Sequence, residues 1–341
     1  PGHTSIEHAE AADARSLAAF AGVSLFPGLF ELDSYGPLGD LDAQENVSLT
    51  DEDIVRLILD GTVIRTRLDR KATNISVLAA IGVRRDGQKI LLSIRNMGGE
   101  STAAWRQVLD DLDARGLKRP EFVIVDGAPG LEAALVTLWG EDLAVQRCTV
   151  HKHRNLLVHT PRHMQDELTE DYRDMIYADT AAEVEKRRKA FLRKWRLKCW
   201  AVADSLDEAG ERLFTFTRLD PSQWKSARTT NAIERLNEEF RRRIKTQTVL
   251  PCAETVPMLL WALLASGQIQ MRKVDGWETL SQPPGPMTLD LAARETEPSN
   301  ARCPPPGNFH HIRDTTQMAQ EITVEEPIEC QPAVHRPAMS Q

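Results

Sequence analysis

The chain has 341 residues, 41% of them hydrophobic and 27% charged, ordinary proportions for a soluble globular protein of about two domains. Its formal net charge of −8 is unevenly placed: residues 1–50 carry −7 and residues 283–341 carry −4, which leaves +3 for residues 51–282. The five scattered cysteines (Cys148, Cys199, Cys252, Cys303 and Cys330) exclude a paired disulfide framework, and no run approaches about 18 apolar residues.

A reducing cytoplasmic compartment and no membrane partner are therefore expected. The opening Pro-Gly-His-Thr lacks the basic and apolar regions of a secretory signal. It also lacks an initiator Met, so a fragment or processed product is expected. Global acidity would argue against a polyanionic partner, but the basic middle removes that objection, because charge placement matters more than the total.

Residues 1–50 read as an irregular acidic segment, with one apolar stretch from Leu17 to Leu32 broken by Gly22, Pro27 and Gly28. Ile54–Leu68, Ile75–Val83 and Gln88–Ile94 are strand-like, and Asp86-Gly87 is a hairpin turn signal between the last two. Ser101 reads as a helix N-cap, followed by Ala104, Trp105, Val108, Leu109 and Leu112 at helical spacing and a stop at Gly116. Phe122–Val125 suits a buried strand, Leu131–Trp139 a helix and Leu143–Val145 a short fifth strand. Helices are expected over 151–177, 181–206, 229–245 and 254–271. The tail from Pro283 holds ten of the nineteen prolines and reads as disordered. Three strands followed by β-α-β give a mixed α/β class in the order of a ribonuclease-H-like fold, whereas a doubly wound nucleotide-binding fold would begin β-α-β.

Three acids stand out by position: Asp60 inside the first strand, Asp126 at the end of the fourth, and Glu234 early in a helix. A carboxylate within an apolar strand is costly to bury unless it is paired or holds a cation. Oxygen ligands at strand ends suit Mg²⁺, and two such ions can serve phosphoryl transfer. Each acid also has a plainer reading. Asp60-Gly61 could be a turn or bulge, Asp126-Gly127 a loop, and Glu234 a capping-box partner of Asn231.

Two further clusters carry chemistry. Cys148-x₂-His151 with His153 hints at zinc, but no second ligand pair follows; a basic helix start offering Lys152 and Arg154 to phosphates is the other reading. Lys186–Lys198 has eight bases in thirteen residues, with Phe191, Leu192 and Trp195 interleaved. It fits either nucleic-acid backbone binding through Arg187, Arg188, Arg193 and Lys194, or a solvated helix surface. Arg241, Arg242, Arg243 and Lys245 form another strip two turns after Glu234.

Leu59-Asp60-Gly61-Thr62, Val125-Asp126-Gly127, Gln146-Arg147-Cys148-Thr149-Val150-His151 and Thr229-Thr230-Asn231-Ala232-Ile233-Glu234-Arg235-Leu236-Asn237 together resemble the Mutator-type bacterial insertion-sequence transposases. The intervals of 66 and 108 residues between the acids fit as well, and the resemblance covers about residues 50–282. It implies a ribonuclease-H-like catalytic core with an all-helical insertion: core over 51–150, insertion over 151–228 and closing core helices over 229–282. It implies that Asp60, Asp126 and Glu234 bind Mg²⁺, or Mn²⁺ in its place, with Cys148, His151 and Asn231 as signature residues near the site. The implied activity is phosphodiester hydrolysis and strand transfer on double-stranded DNA, at element terminal repeats and at target DNA. A homo-oligomeric active complex is implied by the need to bring two ends together.

The chain departs from the family pattern before the core, where only about 50 acidic residues stand in place of a longer helical region. A truncated remnant that binds DNA without transposing is the alternative reading. A nuclease or hydrolase on the same fold is a third, since fold alone does not set function. A nucleotide-binding protein is disfavoured, because Gly127-Ala128-Pro129-Gly130 lacks the Lys-Ser/Thr of a phosphate loop.

Overall fold

A computed structural model of the chain describes residues 47–68, 71–97, 99, 101–244 and 255–289, all within one compact unit. Nearly all of the acidic segment, most of the Pro-rich tail and Lys245 lie outside the described residues.

β1 (Ile54–Leu68), β2 (Lys71–Arg84) and β3 (Lys89–Asn96) form an antiparallel meander. The turn between β2 and β3 falls at Asp86-Gly87 as expected, with the Gln88 carbonyl accepting from the Arg84 N–H at 2.9 Å. Gly87 has φ +86° and lies so close to Trp277 that an added Cβ would clash with the Trp277 side chain. β4 (Phe122–Val125) pairs parallel with β1, and β5 (Ala144–Arg147) pairs parallel with β4. The five-stranded sheet therefore runs β3-β2-β1-β4-β5.

α1 (Thr102–Ala114) connects β3 to β4, and α2 (Pro129–Trp139) connects β4 to β5. Ser101 caps α1 by accepting from the Ala104 N–H. Both helices pack on one face of the sheet. There Leu57 and Leu59 of β1 and Val123 and Val125 of β4 meet Trp105, Leu109, Leu131 and Leu135. Period-two alternation sends Ile58, Ala79, Phe122 and Ile124 to the opposite face, into a second and larger core built with the later helices.

Between β5 and residue 228 every described element is a helix. α3 (Thr149–His159), α4 (Gln165–Ile176), α5 (Ala181–Lys198), α6 (Trp200–Ala209) and the single-turn α7 (Trp224–Ala227) follow one another, with short 3₁₀ turns between. Two expected helices are thus divided. The 151–177 stretch breaks at Thr160-Pro161, because proline has no N–H to continue the ladder. The 181–206 stretch breaks at Cys199, whose extended backbone (φ −156°) ends α5 and starts α6. α8 (Asn231–Ile244) matches expectation, and α9 (Thr255–Ala265) stops earlier than expected, just before Gly267 at φ +70°. α5 presents Phe191, Leu192 and Trp195 inward at 3%, 5% and 0% exposure, so these are core side chains and cannot serve as stacking platforms. No helix among the described residues is long and apolar enough to cross a membrane.

Candidate active site

The parallel register between β1 and β4 decides the centre of the site. Leu59 lies beside Val125, so Asp60 and Asp126 are the next residues on two strands that lie about 4.8 Å apart. Alternation gives both the parity of Ile58 and Ile124, on the sheet face covered by α3 and α8. Asp60 is almost fully buried. Asp126 is half-buried, and its Oδ1 accepts from the Ala128 N–H at 2.9 Å. Burial pushes the Asp126 carboxyl up, the Ala128 N–H and His151 oppose that rise, and the Glu132 charge adds to it.

α3 starts directly after β5, and its start is tied to the start of α8. The Arg228 carbonyl accepts from the Thr149 N–H at 2.9 Å and from its hydroxyl at 3.2 Å. The Thr230 N–H points to the Cys148 sulfur at 3.4 Å. The Cys148 N–H donates to the Val125 carbonyl at 2.6 Å, which fixes the junction to β4. His151 then stands in the first turn of α3, with its Nε2 3.8 Å from Glu234 Oε1 and with the charges of Cys148, Asp60 and Asp126 acting on it. Its interaction with the Cys148 sulfur, and the charges of Cys148, Asp60 and Asp126, raise its pKa to about 9 against the effect of burial. Burial pushes the Cys148 thiol up, but the hydrogen bond and charge of His151, with the Thr230 N–H, leave it below its ordinary value.

Glu234 reaches this group from α8. Its Oε1 accepts from Arg154 Nη1 at 2.9 Å and lies 3.8 Å from His151 Nε2. The carboxylate is thus turned toward α3 and not to a capping box with Asn231, whose own N–H is directed at the Thr229 hydroxyl. His151 lies 3.8 Å from Glu234 through Nε2, and the charges of Asp60 and Asp126 bear on it. The donor set suits a hard cation: Asp60 and Asp126 are adjacent oxygen donors in a desolvated setting. As they stand, however, no group of three His, Cys, Asp or Glu side chains among the described residues is gathered closely enough to hold a metal ion. That holds for the Cys148–His151 zinc reading too.

The bases named from the sequence divide by burial. Lys152 is buried and bonded to the Ser205 hydroxyl at 3.0 Å and Glu208 at 3.1 Å. Arg188 is buried against Asp207 at 3.2 Å and the Phe214 ring. Lys194 bridges Glu167 and Asp171, and Arg187 bridges Asp174 and Glu183. Acids from α4, α5 and α6 therefore neutralise much of the basic run on α5. Arg193 is exposed and has no ion-pair partner among the described residues. Arg241 is exposed and donates to the Val63 carbonyl at 2.8 Å, while Arg242 is 68% exposed beside Glu239.

Sequence reasoning did not anticipate a buried charge network beside Asp126. Glu132 on α2 is 6% exposed and binds Arg147 and Arg212, and Arg147 continues to Glu208 at 2.8 Å. Nor did it anticipate Gln146, fully buried, which donates to the Leu213 carbonyl at 2.8 Å and accepts from the Phe216 N–H at 2.7 Å. A polar residue in the short β5 run was the available signal for the latter.

Known proteins are similar in sequence to more than half of the chain. The chain is 35% identical over 213 residues to the transposase for insertion sequence element ISRM5 of Rhizobium meliloti (strain 1021), covering 62% of this chain and 53% of that protein. It is 29% identical over 226 residues to the transposase for element IS905 of Lactococcus lactis subsp. lactis (strain IL1403), covering 64% and 57%. It is 27% identical over 222 residues to the transposase for element IS256 in transposon Tn4001 of Staphylococcus aureus, covering 64% and 56%. The chain spans about half the length of these curated relatives. The family model described as "Transposase, Mutator family" matches residues 40–273, more than half of the sequence. The chain belongs to the Mutator family of transposases.

Proposed function

We propose that the protein is a DNA transposase that hydrolyses a phosphodiester at an element end and transfers the freed 3′-hydroxyl to a second phosphodiester. The observation that carries this reading is that the β1–β4 register sets Asp60 beside Asp126 on the sheet face covered by α3 and α8, with Glu234 of α8 3.8 Å from His151 of α3. The strand order β3-β2-β1-β4-β5, with three antiparallel strands and then two parallel ones, supports a ribonuclease-H-like core. On that reading the helices from α3 to α7 are an insertion ahead of the Glu-bearing helix, and the domain divisions at 150/151 and 228/229 follow. The transposase names of the relatives support the choice of reaction over other chemistries on the same fold.

Asp60 and Asp126 would hold Mg²⁺ or Mn²⁺, with Glu234 completing the set after leaving Arg154. When bound, the cation supplies orientation and charge stabilisation to the attacking and leaving oxygens of the phosphodiester. The chain's own groups do the rest. His151 offsets part of the acids' negative charge. Exposed Arg154, Arg193, Arg241 and Arg242 meet backbone phosphates. Lys152 and Arg188 brace the helices behind them. Two element ends in one complex call for at least two copies of the chain.

The test is nicking of supercoiled plasmid carrying element ends in the presence of Mg²⁺. Asp126→Asn and Glu234→Gln are expected to lose nicking by at least about a hundredfold, the scale of removing a group that acts on the transition state. Asp126→Asn should melt no lower than the parent, because burial already disfavours its charged form. Nicking retained by a folded variant would refute the assignment of that acid. The alternative of a remnant that binds DNA without cutting it draws on the engagement of Glu234 by Arg154. It calls for salt-sensitive DNA binding with no nicking in Mg²⁺ or Mn²⁺.

A further inference from the structure

β1 and β2 outrun the rest of the sheet. β4 pairs with β1 only as far as Leu59. β3 pairs with β2 only from Val77 onward, with one further bond from the Met97 N–H to the Ser76 carbonyl. Yet β1 and β2 go on pairing with each other as far as Leu68 opposite Lys71. Val63–Leu68 and Lys71–Ser76 therefore form a ribbon of two strands, with no third strand beside them among the described residues. At about 3.4 Å per residue the ribbon is about 20 Å long. Two strands alone are marginally stable in water, and this pair is braced at its root. Ile64 and Ile75, which lie opposite each other, are 2% and 7% exposed in the larger core. Arg241 of α8 donates to the Val63 carbonyl at 2.8 Å.

Opposed residues of an antiparallel pair share a face, and successive residues alternate between faces. The Ile64–Ile75 pair defines the inner face. Val63, Arg65 and Arg67, with their partners Ser76, Asn74 and Ala72, therefore share the outer face, and Val63 is half exposed there. Residues 63–76 hold four bases and one acid, a surplus of three, which equals that of the whole of residues 51–282. Lysine is the charge most used to blunt an exposed strand, whereas this face carries arginine twice and asparagine once. Arginine takes the two acceptors of a guanine edge, and asparagine takes the acceptor and the donor of an adenine edge. The major groove, about 12 Å wide, admits a two-stranded ribbon.

We propose that this ribbon enters the major groove of duplex DNA beside the cut, where Arg65, Arg67 and Asn74 read base edges. Arg241 and Arg242 at its root meet the phosphates that border the groove. Arg65 and Arg67 lie five and seven residues beyond Asp60. That is about 17 and 24 Å along the strand, so the bases read lie about five to seven base pairs from the phosphodiester that is cut. This inference rests on the reading of DNA as the substrate and adds the part of the chain that reads its sequence.

The experiment offers the purified full chain a pool of DNA duplexes with a randomised centre and sequences the bound fraction. Fluorescence anisotropy then measures affinity for the pool, and for the enriched duplex, across a range of salt. The parent is expected to enrich a short motif. Asn74→Ala and Arg67→Lys should each relax the preference at one or two positions of it and weaken binding of the enriched duplex by about tenfold. Their salt slopes on the pool should match the parent's, because asparagine carries no charge and lysine keeps the charge while losing the planar fork. Replacing guanine by 7-deazaguanine at the position relaxed by Arg67→Lys should weaken the parent alone, since the change removes an acceptor only in the major groove. No motif in the parent, or a motif that both variants keep, would overturn base reading by the ribbon. A kept motif with a flatter salt slope in Arg65→Ala and Arg67→Ala would reduce the ribbon to phosphate contacts and overturn it as well. No binding of any duplex by the folded parent would instead overturn the reading of DNA as the substrate, and the inference with it. Circular dichroism confirms that each variant is folded.

Discussion

At the residue scale, His151 is a group whose proton affinity the fold strongly raises. The Cys148 sulfur, and then the charges of Asp60 and Asp126, raise its pKa to about 9 against the effect of burial. An ordinary histidine titrates near 6.5. Because the folded value is raised, the stabilisation is fully present below about 6.5 and is lost as pH rises through about 9. In the metal-free chain the His151 imidazole should therefore titrate by NMR with a midpoint near 9. Cys148→Ala should bring that midpoint down, since the sulfur is the largest contributor. A midpoint near 6.5 in the parent would show that the sulfur and the acids do not act on the ring. The His151 signature was legible in the sequence as Cys-x₂-His, but its place among three acids was not, because those acids lie up to 91 residues away in the chain.

At the element scale, the strands were legible because each carries its own signal. β1 and β4 are apolar runs, and Asp86-Gly87 marks the hairpin. The helices were legible as helical but not in their breaks. A single Pro161 or an extended Cys199 interrupts a pattern that otherwise continues on both sides. α5 shows how composition misleads. Its eight bases suggest a binding face, yet Glu167, Asp171, Asp174 and Asp207 from α4 and α6 meet them, and its aromatics face the core. Trp195 is fully buried and its indole N–H donates to Asp171 at 2.9 Å. Trp195→Ala should cost about 3–5 kcal/mol, as large-to-small changes of aromatic core residues do. Urea unfolding of the variant measures it, and a loss below about 1 kcal/mol would show that α5 does not pack as described.

At the scale of the whole molecule, the bases named from the sequence divide into exposed and buried groups. Many bases of residues 51–282 are held in ion pairs, and among those named from the sequence Arg154, Arg193, Arg241 and Arg242 are exposed. Each base that no longer meets a phosphate should lower the slope of log affinity against log salt by about 0.9. Arg193→Ala and Arg242→Ala are therefore each expected to flatten that slope by about 1, whereas Lys152→Ala should instead reduce the melting temperature, because Lys152 is buried against Glu208. A salt titration of duplex DNA binding, beside a thermal melt, distinguishes the two outcomes. A Lys152 variant with a flatter slope and an unchanged melt would reverse this division.

The amino-acid sequence by itself determined the mixed α/β class, the order of the strands and the family, and it marked three acids by their positions. These depend on local alternation, turn chemistry and short strings of residues, all of which are written contiguously. Only the tertiary structure decided which bases are free and which are consumed, and that Arg154 rather than a helix cap holds Glu234. It alone decided that His151 lies beside Glu234 while the charges of Asp60 and Asp126 act on it. The physical reason is that charge pairing and burial are set by neighbours from distant elements, and a one-dimensional pattern does not carry the register that brings those neighbours together.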